Sequence, residues 1–114
     1  MAHRKQRLAD AIRDSLALCF GGGRLGDPRL EEVTIVHVEL SSDLQWAKVF
    51  FRLYREEALK EARLALQGSA AYFRREVARR VSMRKVPQLH FVYDVSVDRA
   101  SRVASLLSSL KDGA

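Results

Sequence analysis

The segment QGSAAYFRREVARRVSMRKVP, residues 67–87, decides how this chain is read. Phe73, Val77 and Val81 recur every four residues, an apolar stripe with the period of a helix. Pro87 is expected to end that helix, because the residue before a proline is pushed out of the helical region. Four small residues, Gly68, Ser69, Ala70 and Ala71, leave the opening of the segment nearly bare. Beyond them come six cations, Arg74, Arg75, Arg79, Arg80, Arg84 and Lys85, against the single acid Glu76. A solvated helix face normally mixes signs, and this one does not.

Outward from this segment the chain resolves into short elements. Upstream, residues 56–67 keep helical spacing, with Leu59, Ala62 and Leu66 inward. Before them lie two strand-like runs. In VTIVHVEL, residues 33–40, Thr34, Val36, Val38 and Leu40 alternate with Val33, Ile35, His37 and Glu39. In QWAKVFFRLY, residues 45–54, Ala47, Val49, Phe51 and Leu53 form an apolar face opposite the mixed face of Trp46, Lys48, Phe50, Arg52 and Tyr54. The short connection Ser41-Ser42-Asp43-Leu44 makes the pair an antiparallel hairpin. A first helix places Leu8, Ile12, Leu16 and Cys19 on one face and stops at Gly21-Gly22-Gly23. Downstream, Leu89, Phe91 and Tyr93 alternate as a third strand. Ser96 or Asp94 is positioned to cap a last helix with Val103, Leu106, Leu107 and Leu110 inward. The order is helix, strand, strand, helix, kinked helix, strand and a C-terminal helix: one two-layer α+β domain over residues 1–114. Its three-stranded sheet carries the helices on one face, and the third strand joins after a helical crossover.

The 114 residues carry 20 basic and 14 acidic groups, a net charge of +6. The excess is local. Residues 1–13 hold four basic groups, Arg4, Lys5, Arg7 and Arg13, against Asp10, and residues 67–87 hold the six against one. Two cationic patches on a nearly neutral body point to a polyanion that touches part of the surface. No apolar run approaches the roughly 20 residues needed to cross a bilayer. The one cysteine, Cys19, excludes an internal disulfide and fits a reducing cytoplasm.

Catalytic chemistry needs a constellation, and none assembles. His3, His37 and His90 are scattered, and Cys19 reads as a core thiol. The Gly21–Gly26 run lacks the Gly-Lys-Ser/Thr ending of a phosphate loop and follows a helix where that motif requires a strand. Neither metal ligands nor a cofactor motif is recognisable. A binding protein is expected. Small residues between two helices allow close approach of a nucleic-acid backbone, as in KH modules. Arginine outnumbers lysine five to one in the cationic band, which favours bidentate contact with phosphate oxygens. RNA is the better match than DNA, since no recognition helix follows a tight helical turn.

Two blocks then carry a family resemblance. One is the hairpin segment Val38–Val49, with Ser41-x-Asp43-Leu44-x-x-Ala47-Lys48-Val49. The other is Arg80–Phe91, with Arg84-x-Val86-Pro87-x-Leu89-x-Phe91. With Asp27-Pro28-Arg29-Leu30 and Tyr93-Asp94, the chain resembles the ribosome-binding factor A family over nearly its whole length. The resemblance implies a type II KH-like fold with an Ala-x-Gly kink in place of a G-x-x-G loop. It also implies binding to the free small (30S) subunit and its 16S rRNA near the neck and decoding region. Help in late maturation, including 5′-end processing, would come without catalysis, and an assembly GTPase would act as the releasing factor. Here the kink position reads Ser69-Ala70-Ala71, without the closing glycine, and Gly68 is expected to take over the bend. The expected RNA-binding set is Gly68, Ser69, Ala70, Ala71, Arg74, Arg75, Arg79, Arg80, Arg84 and Lys85, with Arg4, Lys5 and Arg7 from the first helix. A monomer with no small-molecule substrate is expected. The competing readings are a stand-alone KH-like RNA-binding regulator and a protein-interaction module with a basic face.

Overall fold

The computed structural model of the protein describes residues 2–20, 25–95 and 106–107. Its elements are α1 (Ala2–Ala17), β1 (Val33–Leu40), β2 (Trp46–Leu53), α2 (Leu59–Gly68), α3 (Ala70–Arg80) and β3 (Gln88–Tyr93). Short 3-10 turns precede β1 at Pro28–Leu30 and α2 at Glu56–Ala58. The expected glycine stop at 21–23 lies outside the described residues. Beyond it, Asp27 organises the turn into β1. Its carboxylate accepts the Arg29 N–H at 3.0 Å, and Leu30 is driven into the core.

β2 is the middle strand of a sheet ordered β1-β2-β3, antiparallel to β1 and parallel to β3. A parallel return needs a long crossover, and α2 with α3 supplies it. Ala47, Val49 and Phe51 are fully buried on the inner face, joined by Leu53, Leu89 and Tyr93. The helices close over this face with Ile12, Leu16, Ala62, Leu66, Phe73 and Val77. The Phe73 ring meets Phe20 at 5.1 Å and Phe91 at 5.6 Å, while Phe51 meets Tyr93 at 5.7 Å. Trp46, Lys48 and Tyr54 stay outside, as the mixed strand face predicts.

Three expectations need correction. Neither alternation in β1 survives along its whole length: Val33 and Ile35 are buried at one end, Val38 and Leu40 at the other. Between them Ile35 pairs with Phe51 and His37 with Phe50, so Val36 is an extra residue. The bulge flips the strand's phase and spares His37 and Glu39 from burial. The second correction concerns α3, which ends at Arg80. Val81 is already extended, with φ −112 and ψ 124, so residues 81–87 are a loop and Pro87 does not set the helix end. The third concerns the last helix. Leu106 and Leu107 are helical but 65% and 58% exposed, so they do not face inward. Ser96, Val103 and Leu110 lie outside the described residues.

Phe51 is fully buried under all of these elements. Phe51→Ala should therefore destabilise the domain by about 3–5 kcal/mol, read as a lower denaturant midpoint. An unchanged midpoint would overturn the inward assignment of this strand face.

Candidate nucleic-acid interface

The small-residue run resolves into a one-residue break. α2 ends at Gly68 and α3 begins at Ala70, with Ser69 between them at φ −105 and ψ 8. The Ser69 N–H closes α2 by donating to the Ala65 carbonyl at 3.1 Å, and its own carbonyl accepts from Phe73 at 3.1 Å to open α3. This conformation is open to any L-residue, so neither a glycine at the kink nor a left-handed Gly68 is required. A side chain at Gly68 would meet nothing within 4 Å. Packing on a neighbour is therefore not what keeps residue 68 small. The first amides of a helix lack intrahelical acceptors, and no side chain caps α3. The positive end of the helix stands open.

Two depressions border this break, and a third lies further along the same surface. One is formed by Arg63, Gln67 and Ala70 with residues 89–92, the edge of β3. A second places Ala71, Arg74, Arg75 and Ala78 beside Met83, Arg84 and Val86. The third, about 500 Å³, lies at the hairpin tip, where Arg4 and Leu8 of α1 face residues 43–46 and the loop 82–88. It brings Arg4 to Arg84 and Lys85, so cations some 80 residues apart in sequence share one groove. Arg84 borders both the second and third depressions, making one continuous cationic surface from Ala71 to Arg4.

The remaining predicted cations divide by partner. Arg80 reaches the end of α1, donating to the Ser15 carbonyl at 3.2 Å, and it pairs with Glu76 at 3.4 Å. It also approaches the Cys19 Sγ at 3.8 Å. Burial pushes the Cys19 thiol up from its ordinary value, outweighing Arg80, and keeps it protonated. Arg74 donates to the Val86 carbonyl at 3.0 Å and holds the 81–87 loop against α3. Arg79 pairs with Glu76 at 3.0 Å yet keeps 72% of its side chain exposed. Among the described residues, Arg75, Arg84 and Lys85 form no side-chain hydrogen bond or ion pair. Lys5 lies apart, beside residues 37–40 of β1, and Arg7 is exposed on α1.

Arg63, His90, Leu44 and Trp46 line these depressions but are absent from the predicted set. A tryptophan on the outer face of a strand was the visible mark of the last. Among the described residues no group of histidine, cysteine and acidic side chains could hold a metal. None of the described helices is long and apolar enough to cross a membrane.

An α-β-β-α-α-β chain with a parallel third strand, a kinked crossover and a cationic surface beside the kink defines a small type II KH-like protein. Comparison with known proteins narrows the class. The family model for ribosome-binding factor A matches residues 4–107. Ribosome-binding factor A of Thermomicrobium roseum is 41% identical over 111 residues, 96% of this chain and 85% of that protein. The factor from Desulforamulus reducens is 38% identical, over 96% and 92%. Among solved structures, the Thermus thermophilus crystal structure matches with a TM-score of 0.68 at 34% identity, over 78% of this chain and 94% of that one. A homology model of the Thermus thermophilus factor, fitted into the cryo-electron-microscopy map of a 30S complex, matches at 0.67 and 33%, over 81% and 97%. The chain belongs to the ribosome-binding factor A family, a family of ribosome-binding factors and not of enzymes.

Two substitutions separate scaffold from surface. Arg80→Ala should destabilise by about 1 kcal/mol after allowance for solvent screening, whereas Arg75→Ala should stay within about 0.5 kcal/mol. Equal losses in chemical denaturation would overturn this division. Gly68→Ala should raise stability by about 0.4–1 kcal/mol, since the added methyl is unobstructed and the unfolded chain is restricted. A lower melting temperature would show that the site demands glycine after all.

Proposed function

We propose that this protein binds the free small (30S) ribosomal subunit through its 16S rRNA and assists late maturation of the particle. On this reading the chain acts in the cytoplasm as a monomer, a single RNA-binding domain spanning residues 1–114. The observation that carries it is the shared surface of the kink and the unpaired cations: Ala71, Arg75 and Arg84 line one depression, and Arg84 continues to Lys85 and Arg4. Bare amides at the start of α3 and planar guanidiniums beside them suit phosphate oxygens. Gly68, Ser69, Ala70 and Ala71 let the RNA backbone come close. Arg75, Arg84, Lys85 and Arg4 hold its phosphates, and Arg79 can exchange Glu76 for a phosphate. Arg74 and Arg80 contribute charge while bracing the loop and α1. Lys5 and Arg7 extend the field that steers encounter.

The small subunit as partner is supported by family membership and by the relative fitted into a 30S map. Support for 5′-end processing of 16S rRNA and for an assembly GTPase as the releasing factor comes from the resemblance. The protein would act on processing indirectly, by favouring one rRNA conformation.

Co-sedimentation at physiological salt with free small subunits, complete ribosomes and an unrelated structured RNA tests the reading. Retention by free small subunits alone is expected. Equal retention by every RNA would instead favour a general KH-like RNA binder, and no retention by any RNA a protein-interaction module. Replacing Arg75 and Arg84 with Ala should reduce the salt slope of log affinity by about 0.7–0.9 for each lost phosphate contact. An unchanged slope would remove both residues from the interface.

A further inference from the structure

The groove at the hairpin tip has a chemistry that phosphate contact alone does not use. Trp46 is the chain's single tryptophan and keeps 46% of its surface open. The His90 ring meets it at 4.5 Å with the planes 70° apart, bracing the indole on one side. Beside it Leu44 is held at φ 62, a left-handed conformation that apolar side chains rarely adopt. Local bonds hold that strain. The Leu44 N–H donates to the Ser41 carbonyl at 3.0 Å, and the Asp43 carboxylate accepts from the Ser41 hydroxyl at 2.7 Å and the Gln45 N–H at 3.0 Å. As a result Leu44 lines the groove, 36% exposed, instead of joining the core. Strained residues persist where the surroundings over-determine them, and such sites cluster where ligands bind.

We infer that this groove is a subsite for one unpaired nucleotide of single-stranded RNA, with the base against Trp46 and Leu44 and the phosphate on Arg4, Arg84 and Lys85. An indole and an isobutyl group offer a base an apolar, sequence-tolerant wall. The rim carries three cations against one acid, Asp43, whose carboxylate is already engaged by its own turn. His90 also borders the depression along β3 beside the kink, so a strand leaving the kink along that edge passes His90 to reach Trp46. The inference rests on the RNA-binding reading above and goes beyond it, because it requires a base with an open face, which a duplex lacks.

Trp46 reports on the site itself, since stacking on a base quenches indole emission. The protein is titrated with a short mixed-sequence single-stranded oligoribonucleotide, with the same sequence as a duplex, and with free small subunits. Emission is followed for the native chain, and affinity for the native chain, Trp46→Leu and Trp46→Phe. Quenching by the single strand and by the subunit, but not by the duplex, is expected. Trp46→Leu should weaken single-strand binding roughly 5- to 150-fold, and Trp46→Phe should retain most of it. Unchanged thermal melting of both variants would confirm that the loss is local. Unquenched emission with both the single strand and the subunit, or unaltered affinity of Trp46→Leu, overturns the subsite. So does a Trp46→Leu variant that loses the subunit while keeping every single strand, since the groove would then meet a ribosomal protein. Failure of the native chain to bind subunits, with single-strand quenching intact, would sink the small-subunit reading and leave the subsite standing.

Discussion

Burial of one face of β2 is the constraint from which the rest of this structure follows. Ala47, Val49 and Phe51 have no exposed surface, and three alternate positions of one strand can be covered only if partners line both edges and helices close the face. On one edge the cover is β1, whose sequence does not offer an unbroken apolar face. The extra residue at Val36 lets it present Val33 and Ile35, then Val38 and Leu40. On the other edge β3 must run parallel to β2, and the crossover that achieves this is bent at Ser69 so that two short helices share one sheet face. The kink is thus a product of core formation first. Its open amides are a consequence that a ligand can use.

The same economy governs the arginines. A cationic helix risks self-repulsion, and Glu76 offsets it from the middle of α3, three and four residues before Arg79 and Arg80. Arg80 joins α3 to α1, and Arg74 joins α3 to the loop that follows it. These fixed arginines hold in place the framework on which Arg75, Arg84 and Lys85 are displayed. Cations of one short segment therefore divide into bracing and freely displayed ones, and a count of charges cannot separate them.

The sequence made most of the scaffold readable, and the exceptions have physical reasons. Period-two and period-four patterns located all six main elements because each buries one face. The bulge was visible only as a break in phase between Ile35 and Val38, which a strict alternation cannot represent. The end of α3 was misplaced because proline marks where a helix cannot continue, not where it stops being useful. After Arg80 the chain turns extended, and Val81 is buried from the loop instead of from the helix. For the site, local spacing identified the cations of α3. The Glu76 pairs were readable at their helical spacing, but the meeting of Arg4 with Arg84 and Lys85 is non-local, and only the fold creates it. Leu44 was hidden for a different reason: a leucine in a left-handed turn violates the residue preference by which such turns are recognised.

The kink itself shows why a missing glycine need not mean a missing bend. A glycine closing such a kink would imply a special backbone conformation, but the bend here is made at Ser69 with negative φ. What the segment has is shortness of side chains, not glycine geometry. Gly68 and Ala71 are exposed, and residue 68 has open space where a side chain would stand. Internal packing would therefore tolerate a methyl group at 68, and glycine is not demanded by the core. A restarted helix with uncapped first amides and short side chains beside them leaves that stretch of backbone accessible, and serine with two alanines achieves this without a glycine at the bend.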